Sequence, residues 1–297
     1  MQNYEFLLQK TSNFFNFALI WEDRGEPLPG RSTKKQDKSN ARAAAALPLP
    51  QAQEPRSPLP QMAEPALYLI PVGLSDGARL DRVLPEYNAG MVRQVRHFIV
   101  ENVRSARRFL KKMDPSIVID DLTFTVLDEH TDAKDVPAML EPLRRGEPMG
   151  VISEAGCPAV ADPGADAVAV AQRLGLKVVP LVGPSSILLS LMASGFNGQS
   201  FAFLGYLPVE AARRNARLRE MQRRGFSERQ TQIFIETPYR NNRLISELTR
   251  ALPGNMLLCV ASDLTGPAER VVTRPLSQWA KAQLDFDKTP AIFLLFS

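Results

Sequence analysis

The sequence predicts an α/β fold of two domains, the first on a largely parallel five-stranded sheet and the second on a mixed sheet. Three observations carry this expectation. From Ala66 onward short apolar runs alternate with longer amphipathic ones, the rhythm of strand–helix–strand units. The chain has 297 residues, more than one average domain, and its 44% apolar content can bury a sizeable core. After the turn "GFNGQS" at residues 195–200 the strands become denser and the helices fewer, as in a mixed sheet.

In chain order, strands are expected at "ALYLIPV", "HFIVEN", "LTFTVL", "MGVISEA" and "KVVPLVG", each rich in β-branched or aromatic residues. Between and after them "RSARRFLKKM", "KDVPAMLEPLRRG", "GADAVAVAQRLG" and "PSSILLSLMASG" read as helices. The second half resumes with "FAFLGYL", a polar Arg-rich helix, "QIFIETP", the helix "NNRLISELTRAL", and the strands "MLLCVAS", "RVVTRP" and "PAIFLLFS". The first 64 residues differ. The segment "RSTKKQDKSNARAAAALPLPQAQEPRSPLPQ" has little large apolar surface to bury and is expected to be disordered. The predicted organisation is therefore an extension over 1–64, a first α/β domain over 65–198 and a second over 199–297. A translation start at Met62 would account for the change of composition.

A formal charge of +4 and a pI near 9.1 suit an anionic partner. Cys157 and Cys259 form no CxxC pair and take no ligand spacing with the two histidines, so neither a metal site nor a disulfide framework is expected. The longest apolar runs, such as "ILLSLMASGF", are shorter than the roughly 18 residues of a membrane span, and a cytoplasmic location is expected.

In an open α/β sheet ligands bind beyond the carboxyl ends of the strands. Three loops leave such ends, "PVGLSDG" (71–77), "SEAGCPAVADPG" (153–164) and "VGPSSI" (182–187), all built of small residues. Such residues let a flat polar ligand lie against the main chain, while Glu154 can accept from hydroxyls or pair with an ammonium. Each loop alone is ordinary turn chemistry, with Ser185 or Ser186 as a helix cap and Pro163 as a turn residue. Neither G-x-G-x-x-G nor a P-loop motif occurs.

The ordered set "SEAGCPAVADPG", "VVPLVGPSSILLSLMASG", "FLGYLP" and "FIETPYR" resembles the tetrapyrrole-methylase family of S-adenosylmethionine-dependent methyltransferases. Within it the chain is most similar to the branch that methylates a ribose 2'-hydroxyl of small-subunit ribosomal RNA, over essentially residues 66–297. The resemblance implies two α/β domains with S-adenosylmethionine in the cleft between them, and a homodimer. By position it puts cofactor contacts on Leu74, Glu154, Gly156, Cys157, Ser186, Ile187, Ile235, Ala261 and Pro290. Glu154 stands for the usual Asp and Cys157 for Thr.

On the acceptor side "VENVRSARRFL" and "LDEHTD" match the branch at Glu101, Arg104 and His130, the candidate catalytic residues, but carry Asn102, Val103, Asp128 and Thr131 where the branch has Asp, Thr, His and Asn. Read without the family, Glu101 is a strand-end acid paired with Arg104, and His130 a loop histidine. Glu236 with Arg240 matches the branch's E-S-P-H-R, and Leu264, Thr265 and Glu269 its A-R-E-L-T-K-x-x-E, with Asp263 for Glu and Gly266 for Lys. A hydroxyl acceptor needs a base, a carboxylate or histidine within reach.

Two basic arrays suit a polyanion: Arg93, Arg96, Arg104, Arg107, Arg108, Lys111 and Lys112 in the first domain, and Arg213, Arg214, Arg217, Arg219, Arg223, Arg224 and Arg229 in the second. Either is equally a solvated helix face. The expected function is methyl transfer to ribosomal RNA or a ribosomal subunit. The alternatives are a family enzyme acting on a tetrapyrrole-like small molecule or a protein, and a catalytically silent RNA-binding or cofactor-sensing protein.

Overall fold

The computed structural model describes residues 63–297. The disordered extension expected over residues 1–64 lies, up to residue 62, outside the described residues. Ala63 and Glu64, counted with it above, are tied to the fold. The Ala63 amide donates to Gln94 Oε1 (2.7 Å), the Tyr68 hydroxyl donates to the Glu64 carbonyl (3.1 Å), and Glu64 pairs with Lys177.

The first sheet has strands β1 (Leu67–Ile70), β2 (His97–Val100), β3 (Thr123–Val126), β4 (Met149–Ile152) and β5 (Val178–Pro180), in the order β3-β2-β4-β1-β5 and all parallel. Both faces are covered, as a parallel sheet requires. Tyr68, Ile70, Phe98 and Val100 pack against helices α2 (Glu86–Val92) and α3 (Val103–Met113) through Met91, Val92, Ala106 and Leu110, while the short α1 (Leu80–Val83) that precedes them buries no residue. Leu67, Ile99, Met149 and Val151 alternate to the other face. There they meet α4 (Val136–Met139), α5 (Glu141–Arg144) and α6 (Gly164–Arg173) through Val136, Leu143, Ala167 and Val170.

The single helix expected over residues 134–146 is two short ones, because Pro137 and Pro142 each sit in a first turn and remove the amide an uninterrupted helix would need. Helices α1 and α2, on either side of Pro85, were not anticipated; neither is long enough to display an amphipathic stripe. After β5, α7 (Ser186–Ser194) begins at Ser185, whose hydroxyl caps the Leu188 amide.

The second sheet is mixed: β6 (Phe201–Tyr206), β7 (Thr231–Ile235), β8 (Leu257–Ser262), β9 (Arg270–Pro275) and β10 (Ala291–Phe296), in the order β6-β7-β10-β8-β9. β6 and β7 are parallel, and β10 runs antiparallel to both of its neighbours. On one face Phe234, Leu258, Val260, Phe293 and Leu295 pack against α8 (Ala211–Glu228), α9 (Asn241–Ala251) and α10 (Leu276–Trp279). On the other, Ile233, Cys259, Ala261, Ile292 and Leu294 meet Leu191 and Ile187 of α7 and Leu74 from the loop after β1. The Thr273 hydroxyl donates to the Ser194 carbonyl at 3.0 Å. The first half of the chain thus supplies one cover of the second sheet.

The strand-end loops of the first sheet are in direct contact. The Val72 amide donates to the Gly156 carbonyl at 2.9 Å, and the Asn88 side-chain amide donates to the Val182 carbonyl at 2.8 Å. A Cβ at Gly183 would lie 2.2 Å from Pro71 Cβ and 2.6 Å from its Cγ, so only glycine lets these two main chains pass. Gly183→Ala is expected to lower stability by about 1–3 kcal/mol through overpacking against a rigid proline ring, read as a lower urea midpoint with unchanged slope.

Candidate active site at the strand ends

The carboxyl ends of β1 and β4 open into a cavity of about 670 Å³, within the range of small-molecule sites. Val72 to Asp76 form one wall and Ile152 to Ala155 the floor. Ser105, Arg108, Phe109 and Lys112 of α3 form the opposite wall, and Pro290 closes it from the second sheet.

The α3 wall is set by its cap. Asn102, where the related branch carries Asp, accepts from the Arg104 amide (2.9 Å) and the Ser105 amide (3.3 Å). Ser105 then donates its hydroxyl to Glu154 Oε1 at 2.5 Å, fixing that carboxylate on the floor. The turn that follows is tight. Gly156 has φ +70°, and a Cβ there would meet Leu74 Cδ2 at 3.0 Å; the Cys157 thiol donates to the Pro184 carbonyl at 3.4 Å, and burial pushes that thiol up. Ala159 and Ala161 also have positive φ, at 65° and 59°, which for a residue with a Cβ costs roughly 1–2 kcal/mol each. The strain is held by Asp162, which accepts from the Ala159 amide (3.0 Å) and the Gly164 amide (2.7 Å).

Three carboxylates therefore meet here. Burial, with Asp162 and then Glu154 adding repulsion, raises Glu101 above the usual carboxylate range, against a partly compensating Glu154 amide. Burial raises Asp162 likewise.

Of the cofactor contacts expected from the sequence, Leu74, Glu154 and Pro290 line the cavity. Leu74, Ile187, Ile235 and Ala261 share one apolar cluster between α7 and the second sheet. Gly156 and Cys157 form the turn beside them, and Ser186 opens α7 next to its cap. The catalytic candidates are spread out. Glu101 lies among the acids, and no ion pair joins it to Arg104, which is exposed on the first turn of α3. His130 stands in the open after β3, its side chain 84% exposed and 3.7 Å from Glu129. Glu236 is buried, pairs with Arg240 at 3.2 Å and accepts from the Thr237 amide at 2.8 Å. Gly266 faces the Asp263 carboxylate so closely that a Cβ would sit 2.2 Å from Oδ1, and a longer side chain there would have to displace that carboxylate.

Sequence reasoning missed Ser105 and Asp162. Ser105 has no signal except its place three residues after a capping Asn. Asp162 stood inside the quoted "ADPG" but was not singled out.

Among the described residues no helix is long and apolar enough to cross a membrane, and no group of three or more His, Cys, Asp or Glu is placed to hold a metal.

Comparison with known proteins follows the same lines. No family model matches the chain. It is 30% identical over 227 residues to the ribosomal RNA small subunit methyltransferase I of Mesorhizobium japonicum, covering 76% of this chain and 71% of that protein. To the protein of the same name from Vibrio cholerae it is 29% identical over 215 residues, covering 72% of this chain and 70% of the other. The fold is similar to that of uroporphyrin-III C-methyltransferase from Thermus thermophilus complexed with S-adenosylhomocysteine, with a TM-score of 0.50, 16% identity, and 78% and 97% of the two chains covered.

Because Glu101 binds its proton more tightly folded than unfolded, it adds stability below its unfolded pKa and loses it as pH rises through the folded one. Glu101→Gln is expected to flatten this segment of the stability–pH curve and leave the variant more stable than the parent at neutral pH, measured by urea denaturation across pH 4–8.

Proposed function

The chain belongs to the ribosomal RNA small subunit methyltransferase I family, a branch of the tetrapyrrole methylases, and from that premise we propose that it transfers a methyl group from S-adenosylmethionine to a ribose 2'-hydroxyl of small-subunit ribosomal RNA. The observation that carries this reading is the cavity itself: a carboxylate fixed on its floor, a glycine-lined turn beside it, and Pro290 of the second half of the chain closing it.

The residues fit the donor. Adding a Cβ at Gly156 would press into Leu74, so the turn keeps its main chain bare where a nucleoside would approach. Leu74 and Pro290 supply apolar surface to the cavity and Glu154 an acceptor for hydroxyls or a partner for an ammonium, while Ile187, Ile235 and Ala261, in the apolar cluster that includes Leu74, are proposed to back the donor. Gly156, Cys157 and Ser186 complete the proposed donor site. When bound, S-adenosylmethionine supplies an electrophilic methyl on a sulfonium. The chain's own part is to hold the two reactants in line and to take the hydroxyl proton, and alignment alone can supply several kcal/mol.

Glu101 is the proposed base. It lies at the strand end beside the cavity, and its burial and neighbouring acids raise its basicity toward the working pH. Arg104 and His130, both exposed, are assigned to contact with the acceptor. A homodimer in the cytoplasm completes the reading. Its proposed contact is the outer face of α7, where Leu188 and Met192, one turn apart, are 52% and 79% exposed.

The test is transfer of labelled methyl to small ribosomal subunits from a strain lacking the modification. Label confined to small molecules or protein would overturn the RNA assignment. Glu154→Ala should weaken adenosylhomocysteine binding by about tenfold in calorimetry, the scale of one charged hydrogen bond. Glu101→Gln should lower kcat by about 10²–10⁴-fold and abolish the acid limb of its pH profile, in which activity rises as pH passes the elevated pKa. Leu188→Asp with Met192→Asp should shift the light-scattering mass from dimer to monomer.

A further inference from the structure

The two basic arrays look alike in the sequence, and the structure separates them. In α8, Arg213 pairs with Glu210, Arg217 and Arg224 with Glu220, and buried Arg214 with Glu247 at 2.6 Å. Among the described residues, only Arg219 and Arg223 of that helix lack a carboxylate partner. In α3 no cation pairs with a carboxylate of the described residues. Arg107 lies over the Phe124 ring at 5.4 Å, Lys111 donates to the Pro115 carbonyl (3.0 Å) and Lys112 to the Asp76 carbonyl (2.8 Å), while Arg104 and Arg108 form no ion pair. Five charges on eleven residues thus stand without a carboxylate among the described residues, and the helix itself contains no acid.

Helix stability does not account for this. Lys111 and Lys112 in the last turn suit the helix dipole, but Arg104 in the first turn opposes it, and cations three or four residues apart repel. Arg108 and Lys112 also line the cavity, in a stripe with Ser105 and Phe109, so the charge begins at the reaction site and runs outward along the helix. The α8 face is different in place as well as in charge. It covers the side of the second sheet opposite the cluster that contains Leu74.

We infer that α3 is the docking face for the RNA backbone, with Arg108 and Lys112 gripping the phosphates that flank the acceptor ribose at the mouth of the cavity. This rests on the RNA reading above and specifies which surface serves it. Arginine gives a planar bidentate fork to a phosphate and lysine a point charge, and each phosphate neutralised steepens the salt dependence of binding.

The test compares Arg108→Glu/Lys112→Glu with Arg219→Glu/Arg223→Glu in α8, using purified small ribosomal subunits as probe. All four side chains are exposed, so folded protein is expected and is checked by melting temperature; Arg108→Gln/Lys112→Gln serves if the reversed pair does not fold. The α3 variant should bind subunits at least about tenfold more weakly, lose about 2 from the log–log salt slope and show a raised KM for subunits. The α8 variant should stay within about twofold of the parent. An α3 variant that binds subunits as the parent does, or an α8 variant that loses as much, overturns the docking face while methylation by the parent protein upholds the activity. A parent protein that binds adenosylhomocysteine but methylates no RNA overturns both.

Discussion

The structure depends on the close approach of three strand-end loops. Pro71 lies against Gly183, the Val72 amide is bonded to Gly156, and Cys157 reaches the Pro184 carbonyl. The small residues of these loops are thus first a packing requirement: any larger side chain at Gly183 would drive the ends of β1 and β5 apart. The pocket is what remains when the loops are packed this tightly. One of them also sends Leu74 onto the second sheet, so the contact that shapes the cavity is part of the contact that joins the two halves.

Charge is arranged with similar economy. Acids collect at the carboxyl ends of β2 and β4, where Asp162 and Glu154 add to burial in raising the proton affinity of Glu101, and cations collect on the helix that forms the cavity wall. A bound polyanion would meet the cations first and the carboxylates only at the reacting group. The Ser105–Glu154 hydrogen bond ties the two regions together.

Much of this was legible in the sequence. The alternation of short apolar and longer amphipathic runs marked all ten strands and the longer helices, because those elements bury a face and the face imposes a period. Helices α1, α2, α4, α5 and α10 were missed or merged. A helix of four to seven residues completes at most two turns, and around Pro85, Pro137 and Pro142 its boundaries are set by local geometry rather than periodicity. In the site, the loops declared themselves through composition. Which carboxylates share a space did not, since Glu101, Glu154 and Asp162 come from two strand ends brought side by side by the β2–β4 pairing. The inequality of the two basic helices was also hidden. Glu210 and Glu220 neutralise Arg213, Arg217 and Arg224 of α8 locally, but the acid that meets the buried Arg214, Glu247, is supplied across the fold.

The strand order of the second sheet bears on how the molecule assembles. β10 comes after every other strand in chain order, yet it lies in the middle, bonded to β7 on one side and β8 on the other, with Phe293, Leu294 and Leu295 fully buried. Until residues 291–296 emerge from the ribosome, β6–β7 and β8–β9 can exist only as separate two-stranded ribbons, each marginal and each with an open edge. The first sheet has all its strands once residue 180 has been made. Synthesis therefore presents a half-built molecule whose nascent second sheet is an aggregation hazard, relieved only when one late strand inserts between two waiting edges.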